Sequence, residues 1–415
     1  MKLLIGVIPP NEERAERLFV LEEGKAVLLK NVDDARVYPN YALLRDRPAR
    51  INDRPVSGSG VFDFRYGPVT AGIREAGCFH LYTYGEKILR AGIDLSWKAR
   101  GIEAAMLART PDAALRLAET VCSNFAFSHS VAFSRAAESA LGLVPDLAAR
   151  KWRILLLEAE RVTNHLYQLS RLSAAAAQKV LAAHLSALFE DALRLNACLG
   201  GSRYLMGINR LGAWERYPSA ADSHTAIEGY ILIARKFRQL YEHSLANYNY
   251  LDRLHAAGVL TPRQVEDFGL TGPTLRACGL DDQLNSGTEH LVNLPVITHN
   301  EGDALARMEI RAEELVNSCQ YLADHLTTAN TWRQGSGAEQ QQPATEGEGC
   351  GVAHSPSGAV GYYLNIRDGL IREAAIFTPS YAGMHAVSTA LEDLIFTDFP
   401  FVFDSFGVHF ADAAR

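Results

Sequence analysis

"RILLLEAERVTNHLYQLSRLS", residues 153–173, decides the architecture of this chain. Leu155, Ala159, Val162, Leu166 and Leu169 recur at alternating intervals of four and three, the spacing that stacks side chains on one face of an α-helix. Residues 220–245 ("AADSHTAIEGYILIARKFRQLYEHSL") and 302–326 ("GDALARMEIRAEELVNSCQYLADHL") carry the same period. The middle of the chain therefore reads as a bundle of long helices.

Outward from this centre the period changes. Residues 17–32 ("RLFVLEEGKAVLLKNV") have the apolar β-type runs of strands, and 65–95 alternate apolar and small residues between glycines like a hairpin. Thr110-Pro111-Asp112 and Asp222-Ser223 are expected helix starts, proline being accepted in a first turn where its missing N–H has no helical partner. Residues 333–351 ("RQGSGAEQQQPATEGEGCG") are Gly-, Gln- and Glu-rich and predict a mobile loop. After them, 358–379 reads as a hairpin turning at Arg367-Asp368-Gly369, and 383–396 as a last helix. The expected fold class is mainly α (α+β): a helical bundle with small antiparallel β-units contributed from the N- and C-terminal regions. A β-rich segment and connector is expected over 1–65, and the main domain over 66–415.

Composition bounds the function. With 415 residues, 48% apolar and 21% charged, the chain buries a sizeable core. A formal charge of −7 gives no basic field for a phosphate backbone, so nucleic acid is not an expected partner. No apolar run reaches the roughly 18 to 20 residues that span a bilayer, and the start is too short in apolar residues for a secretory signal. The expectation is a soluble, cytoplasmic chain, which does not stop it from docking onto a membrane subunit. The six cysteines (Cys78, Cys122, Cys198, Cys278, Cys319, Cys350) are far apart and form no C-x-x-C, which argues against a disulfide framework or a self-contained zinc or iron-sulfur knuckle.

Few residue constellations carry chemistry. "VCSNFAFSHSVAFSRAAES" (121–139) offers Cys122 and His129, but Phe125 stands where a second thiol would complete a metal-binding pair. A single thiolate does not hold a transition metal. Glu158, Arg161 and His165 share one helix face; the di-iron pattern needs histidine at the arginine's position, so an interhelical ion-pair network is the expected arrangement. Cys350 and His354 flank a glycine-rich turn without a companion pair. No P-loop, dinucleotide glycine fingerprint or nucleophile elbow is present.

The ordered segments from about Tyr66 to the C-terminus carry a resemblance. "GPVTAGIREAGCFHLYTYGEKI" (67–88), "SWKARGIEAAMLART" (96–110), "CSNFAFSHSVAFSRAAE" (122–138), "EAERVTNHLYQLS" (158–170), "GSRYLMGINRLGAW" (201–214), "DFGLTGPTLRACGLDDQL" (267–284) and "GDALARMEIRAEELVNS" (302–318) resemble, in this order, motifs of the group 4 nickel-iron hydrogenase large subunit and of its relative, the respiratory complex I 49 kDa (D) subunit. In the third segment Cys122, His129 and Glu138 keep the family spacing. The resemblance implies an oxidoreductase subunit of NADH:quinone oxidoreductase or hydrogenase type in a membrane-associated, redox-driven ion-translocating complex. It implies as partners a small iron-sulfur subunit carrying a 4Fe-4S cluster, a complex I C-subunit-like protein and membrane-arm subunits.

Departures from the family pattern bear on the site. The hydrogenases hold nickel and iron with thiolates from two C-x-x-C pairs; here the front pair keeps only Cys122, and the tail "DFPFVFDSFGVHFADAAR" (398–415) has no cysteine. A nickel-iron centre is therefore not expected, and no cofactor is assigned to this chain alone. The complex I branch uses a hairpin histidine and a tyrosine near the front motif for quinone, and neither stands at Val69–Arg74 or Cys122–Asn124. The resemblance places Glu75 beside the active site, where a buried carboxylate relays protons if its pKa rises, against the alternative of a salt bridge to Arg74 or Arg100. Glu75 and His129 are thus the candidate catalytic residues, in a cavity that takes a quinone or another small acceptor. Asp398 is expected to anchor the tail. Two alternatives stay open: a metalloenzyme with unusual ligands including Cys122 and His129, and a non-catalytic scaffold.

Overall fold

The computed structural model describes residues 2–11, 14–29, 38–70, 75–214, 216–282, 294–329, 332 and 343–415. In chain order these form β1 (Lys2–Ile8), β2 (Arg17–Glu22), β3 (Lys25–Leu29), α1 (Tyr41–Asp46), β4 (Arg50–Ile51), β5 (Val61–Tyr66), β6 (Cys78–Tyr84), β7 (Lys87–Asp94), α2 (Ile102–Met106), α3 (Pro111–Ala118), α4 (Ala126–Leu141), α5 (Leu147–Ala175), α6 (Lys179–Gly200), α7 (Ala220–Leu245), α8 (Tyr248–Leu254), α9 (Pro262–Asp267), α10 (Pro273–Arg276), α11 (Ala304–Ala329), β8 (Gly347–Ser355), β9 (Gly358–Arg367), β10 (Leu370–Phe377), α12 (Pro379–Ala390), α13 (Phe399–Phe406) and α14 (Phe410–Ala414).

The central helix α5 runs for 29 residues, started by Asp146, whose side chain accepts from the Ala149 N–H. It packs on α6 and α11, and α7 closes the ring between those two, so that α5, α6, α7 and α11 form a four-membered bundle. All five heptad residues of α5 are buried, as the period predicts. Helix α3 starts as expected, with Thr110 accepting from Ala113 N and Pro111 in the first turn. Helix α7 starts earlier than the expected Asp222-Ser223: Ser219 is the cap and Asp222 the reciprocal member of a capping box. The tail does not end with α12: α13 follows and packs on α5 and α11 of the bundle, and α14 packs back on α12.

Among the described residues, the strands form three antiparallel sheets, in strand orders β1-β2-β3, β10-β9-β8 and β4-β7-β6-β5. The β9–β10 hairpin turns at Asp368 and Gly369, with φ of 54° and 69°, as a two-residue turn of the type that needs a left-handed pair. Along β9 successive side chains point to opposite faces. Tyr362 meets Phe133 on α4, while Tyr363 joins Phe19 and Phe377 in a cluster with the first sheet. That double cover explains why nearly every β9 residue is buried. The division expected at residue 66 does not separate structural units: β5 pairs residue for residue with β6 through Tyr66, and Leu4, Val7, Leu18 and Val20 share one core with the helices.

The expected loop over 333–351 is corrected at its end. Residues 333–342 lie outside the described residues, but Gly347–Gly351 are part of β8, paired with β9 from Gly347↔Ile366 to Ser355↔Gly358. The glycines serve a close approach to a helix. A Cβ built on Gly347, Gly349 or Gly351 would run into the backbone carbonyl oxygens of Ala140, Ala136 and Ala132 respectively. Those alanines are spaced by four along α4, and the glycines by two along β8, so a small-residue ridge of the helix lies directly on the strand.

Candidate functional site

Four segments converge at the N-terminal end of α4: the turn Cys122–Phe125, the middle of α5, the residues just before β6, and the C-terminal tail. Between them lies a cleft of about 430 Å³ whose lining includes Glu75, Cys122, Asn124, Tyr167, Tyr204 and His409. Helix α4 is fixed at this end by Glu160 of α5, whose buried carboxylate accepts from Phe127 N at 2.7 Å, Ser128 N at 3.0 Å and the Ser128 hydroxyl. A carboxylate at a helix N-terminus satisfies otherwise unpaired N–H groups. Burial nevertheless pushes the Glu160 pKa up to about 7, against the pull of those donors.

Glu75 lines the cleft, and Arg100 does not balance it. Its two oxygens accept from the backbone N–H groups of Phe410, at 2.7 Å, and Ala411, at 3.1 Å. Arg100 turns instead to the carbonyls of Thr120 and Val121, and Arg74 lies outside the described residues. His129 does not reach the cleft. It is fully buried, its Nε2 donating to Asp412 Oδ1 at 2.9 Å and its Nδ1 accepting from the Tyr362 hydroxyl at 2.9 Å. Asp412 accepts further from Ser380 N at 3.2 Å. His129 is thus a tie between α4, β9 and α14, and it has no ring nitrogen left for a metal or a substrate.

His409, which sequence reasoning passed over, takes the place expected of His129. Its ring sits edge-on to Phe125 at 5.2 Å and 6.3 Å from the Tyr167 ring. The Gln168 amide donates to Nε2 at 2.8 Å, and Glu75 Oε2 lies 4.0 Å from Nδ1. Burial lowers its pKa, with Glu75 and Asp412 pulling the other way. The sequence signal was in α5: Asn164, Gln168 and Arg171 form a polar stripe at i, i+4 and i+7, opposite the heptad face, and Tyr167 lies beside it. Tyr167 of α5 and Tyr204 both line the cleft.

Nickel and iron do not fit these residues. Of the six cysteines only Cys122 lines the cleft, and burial together with Asp412 and Glu75 raises its thiol well above the ordinary pKa. The position of a second front thiol is filled by the buried Phe125 ring, packed edge-on against His409. Among the described residues, no three histidine, cysteine, aspartate or glutamate side chains are placed to hold a metal ion.

The ion-pair network expected at Glu158, Arg161 and His165 is present and crosses four elements. Glu158 meets Arg161 at 3.3 Å and the Ser318 hydroxyl at 2.6 Å. His165 donates to Glu314 at 2.8 Å, Glu314 also pairs with Arg276, Arg276 with Asp282 at 3.3 Å, and Arg161 with His354 at 3.2 Å. His354 is thereby separated in role from Cys350, whose thiol faces the Ala26 carbonyl. Asp398 lies at the start of α13, 3.9 Å from Arg253 of α8.

The chain combines a helical bundle with a cleft built from its front motif, its long central helix and its tail. The chain is similar to members of the family of the group 4 hydrogenase large subunit and the complex I 49 kDa subunit. The family described as respiratory-chain NADH dehydrogenase, 49 Kd subunit, matches residues 189–336. Formate hydrogenlyase subunit 5 of Escherichia coli is 28% identical over 280 residues, covering 63% of this chain and 47% of that protein, so the match spans about half of its length. The NADH-quinone oxidoreductase D 2 subunit of Streptomyces griseus subsp. griseus is 29% identical over 293 residues, covering 68% of this chain and 73% of that protein. Carbon monoxide-induced hydrogenase of Rhodospirillum rubrum is 23% identical over 350 residues, covering 82% and 95%. In fold, the chain resembles a chain of the membrane-bound sulfane sulfur reductase, an archaeal respiratory membrane complex, with a TM-score of 0.78, 22% identity, and coverage of 87% of this chain and 100% of that one. Among the described residues, no helix is long and apolar enough to cross a membrane.

Proposed function

We propose that this chain is the large subunit of a membrane-associated, complex I-like oxidoreductase, and that its cleft takes a quinone or a similar small acceptor in place of a nickel-iron centre. The observation that carries this reading is the cleft itself: Glu75 and Cys122, both assigned to the active-site region by family resemblance, line one cavity that contains a single protonated thiol and a wall of Tyr167, Phe189 and Tyr204. An apolar wall with a few convergent polar groups suits a small planar molecule. Electrons would arrive from a 4Fe-4S cluster in a small partner subunit, and the assembly would sit on a membrane arm at the cytoplasmic face, together with a C-subunit-like protein. The metalloenzyme alternative is disfavoured by the full occupation of both His129 ring nitrogens. The tight hydrogen bonding of Glu75 and His129 favours a second reading, in which the subunit couples its partners conformationally without chemistry of its own.

Metal analysis of the complex purified through this chain, with quinone titration of its iron-sulfur electron paramagnetic resonance signal, separates these readings. Iron without nickel and a quinone-sensitive signal are expected. Stoichiometric nickel would overturn the proposal, and a signal indifferent to quinone would leave the coupling role.

A further inference from the structure

His409 is more than nine-tenths buried, yet it lines the cleft. The Gln168 amide nitrogen meets Nε2 at 2.8 Å, while the Asn124 amide nitrogen lies near both ring nitrogens, 3.2 Å from Nε2 and 3.4 Å from Nδ1, so Gln168 sets the tautomer, with the lone pair on Nε2 and the ring proton on Nδ1. Among the described residues, the carboxylate oxygen that Nδ1 faces is Glu75 Oε2 at 4.0 Å, beyond hydrogen-bond range, and that carboxylate is already committed to Phe410 N and Ala411 N. The ring is held on one side by Phe125 and faces Tyr167 at 6.3 Å, with Tyr167 in turn 5.6 Å from Phe189. The arrangement is a fixed N–H donor, beside an aromatic wall, with a negative charge nearby that disfavours an anionic guest.

We propose that His409 is the ligand-binding residue of this cleft, its Nδ1–H donating to a carbonyl oxygen of an uncharged, planar aromatic guest that lies against Tyr167. Gln168 acts as a positioning residue by fixing the tautomer. The proposal rests on the reading of the cleft as an acceptor site and adds the group that recognises the acceptor. The lowered pKa of His409 agrees with a neutral ring at pH 7.

The probe is duroquinone, a fully methylated benzoquinone that does not add to thiols, bound to the intact complex in equilibrium dialysis. His409→Leu is expected to weaken binding about tenfold, the size of one buried hydrogen bond. His409→Asn, whose amide nitrogen falls close to Nδ1, should stay within about threefold of the unaltered complex, and Gln168→Met, which leaves the histidine in place but frees its tautomer, should lose about threefold. Thermal melts of each complex report whether the variant is folded and assembled. Unaltered binding by a folded His409→Leu complex, or by Gln168→Met should His409→Leu not assemble, overturns the proposal alone. An equal loss in His409→Asn and His409→Leu also overturns it, because a donor at Nδ1 would then not matter. Failure of the unaltered complex to bind duroquinone instead removes the underlying reading of the cleft, and the proposal with it.

Discussion

Glu160 is a buried carboxylate, pulled one way by three donors at the start of α4 and the other by the loss of water around it. Its folded pKa of about 7 lies above the unfolded value of 4.5, so between these pH values the folded state holds a proton that the unfolded state has lost. Stability contributed by this group therefore falls as pH rises from 4.5 to 7, by about 3 kcal/mol over the interval. Glu160→Gln removes the titration. Urea unfolding of both forms at pH 5 and pH 8 should show the variant gaining by about that amount at the higher pH relative to the lower. A constant difference across the range would mean that Glu160 is ionised throughout. At this scale the sequence was readable for Cys122 and Phe125, since a missing thiol is visible without coordinates. It was not readable for His129 and His409, because which histidine faces a cavity depends on partners 233 to 285 residues away in the chain.

Helices announce themselves through the side chains they bury, and α5 was legible in its heptad for that reason. Strand β8 was not, because Gly-Glu-Gly-Cys-Gly has the composition of a loop and gains its meaning only from the helix lying against it. The three glycines meet the carbonyl edge of α4 at positions where any Cβ would collide with backbone, which cannot swing aside as a side chain can. Gly349→Ala should accordingly cost about 2–3 kcal/mol, read as a lower urea midpoint with an unchanged slope. Loss of less than about 0.5 kcal/mol would mean that the helix and strand are not in this close contact. The same substitution at Gly85, where a Cβ meets nothing but the backbone needs a positive φ of 59°, tests strain without contact and should cost about 1 kcal/mol.

Over the whole molecule, burial decides the response to acid. His165 and His385 are both lowered to about 4 by loss of solvent, and His354 and His409 are lowered in the same direction. Each is neutral when folded and takes up a proton on unfolding below its ordinary pKa of 6.5, so the stability they contribute is present above pH 6.5 and is lost as pH falls towards 4. Glu160 opposes this over part of the window, because it releases its proton on unfolding. The net expectation is an uptake of about two protons on unfolding at pH 5.5, measured from the pH dependence of the urea midpoint. A flat profile from pH 7 to pH 5 would contradict the neutral assignment of these histidines. The ion-pair network of α5, α10 and α11 gives a second check at this scale. Glu314→Gln leaves the buried Arg276 short of a partner and should cost about 3–5 kcal/mol in a thermal or urea melt.

The sequence by itself determined the helical bundle, the antiparallel hairpins and the loss of the second front thiol, because periodicity, turn residues and the identity of a metal ligand are local properties of the chain. Only the tertiary structure decided which polar residues meet in the cleft, that His409 and not His129 faces Glu75, and that a glycine-rich run is a strand. Those outcomes depend on contacts between segments far apart in the chain, and burial, which sets both the pKa values and the need for glycine, exists only once the segments have packed.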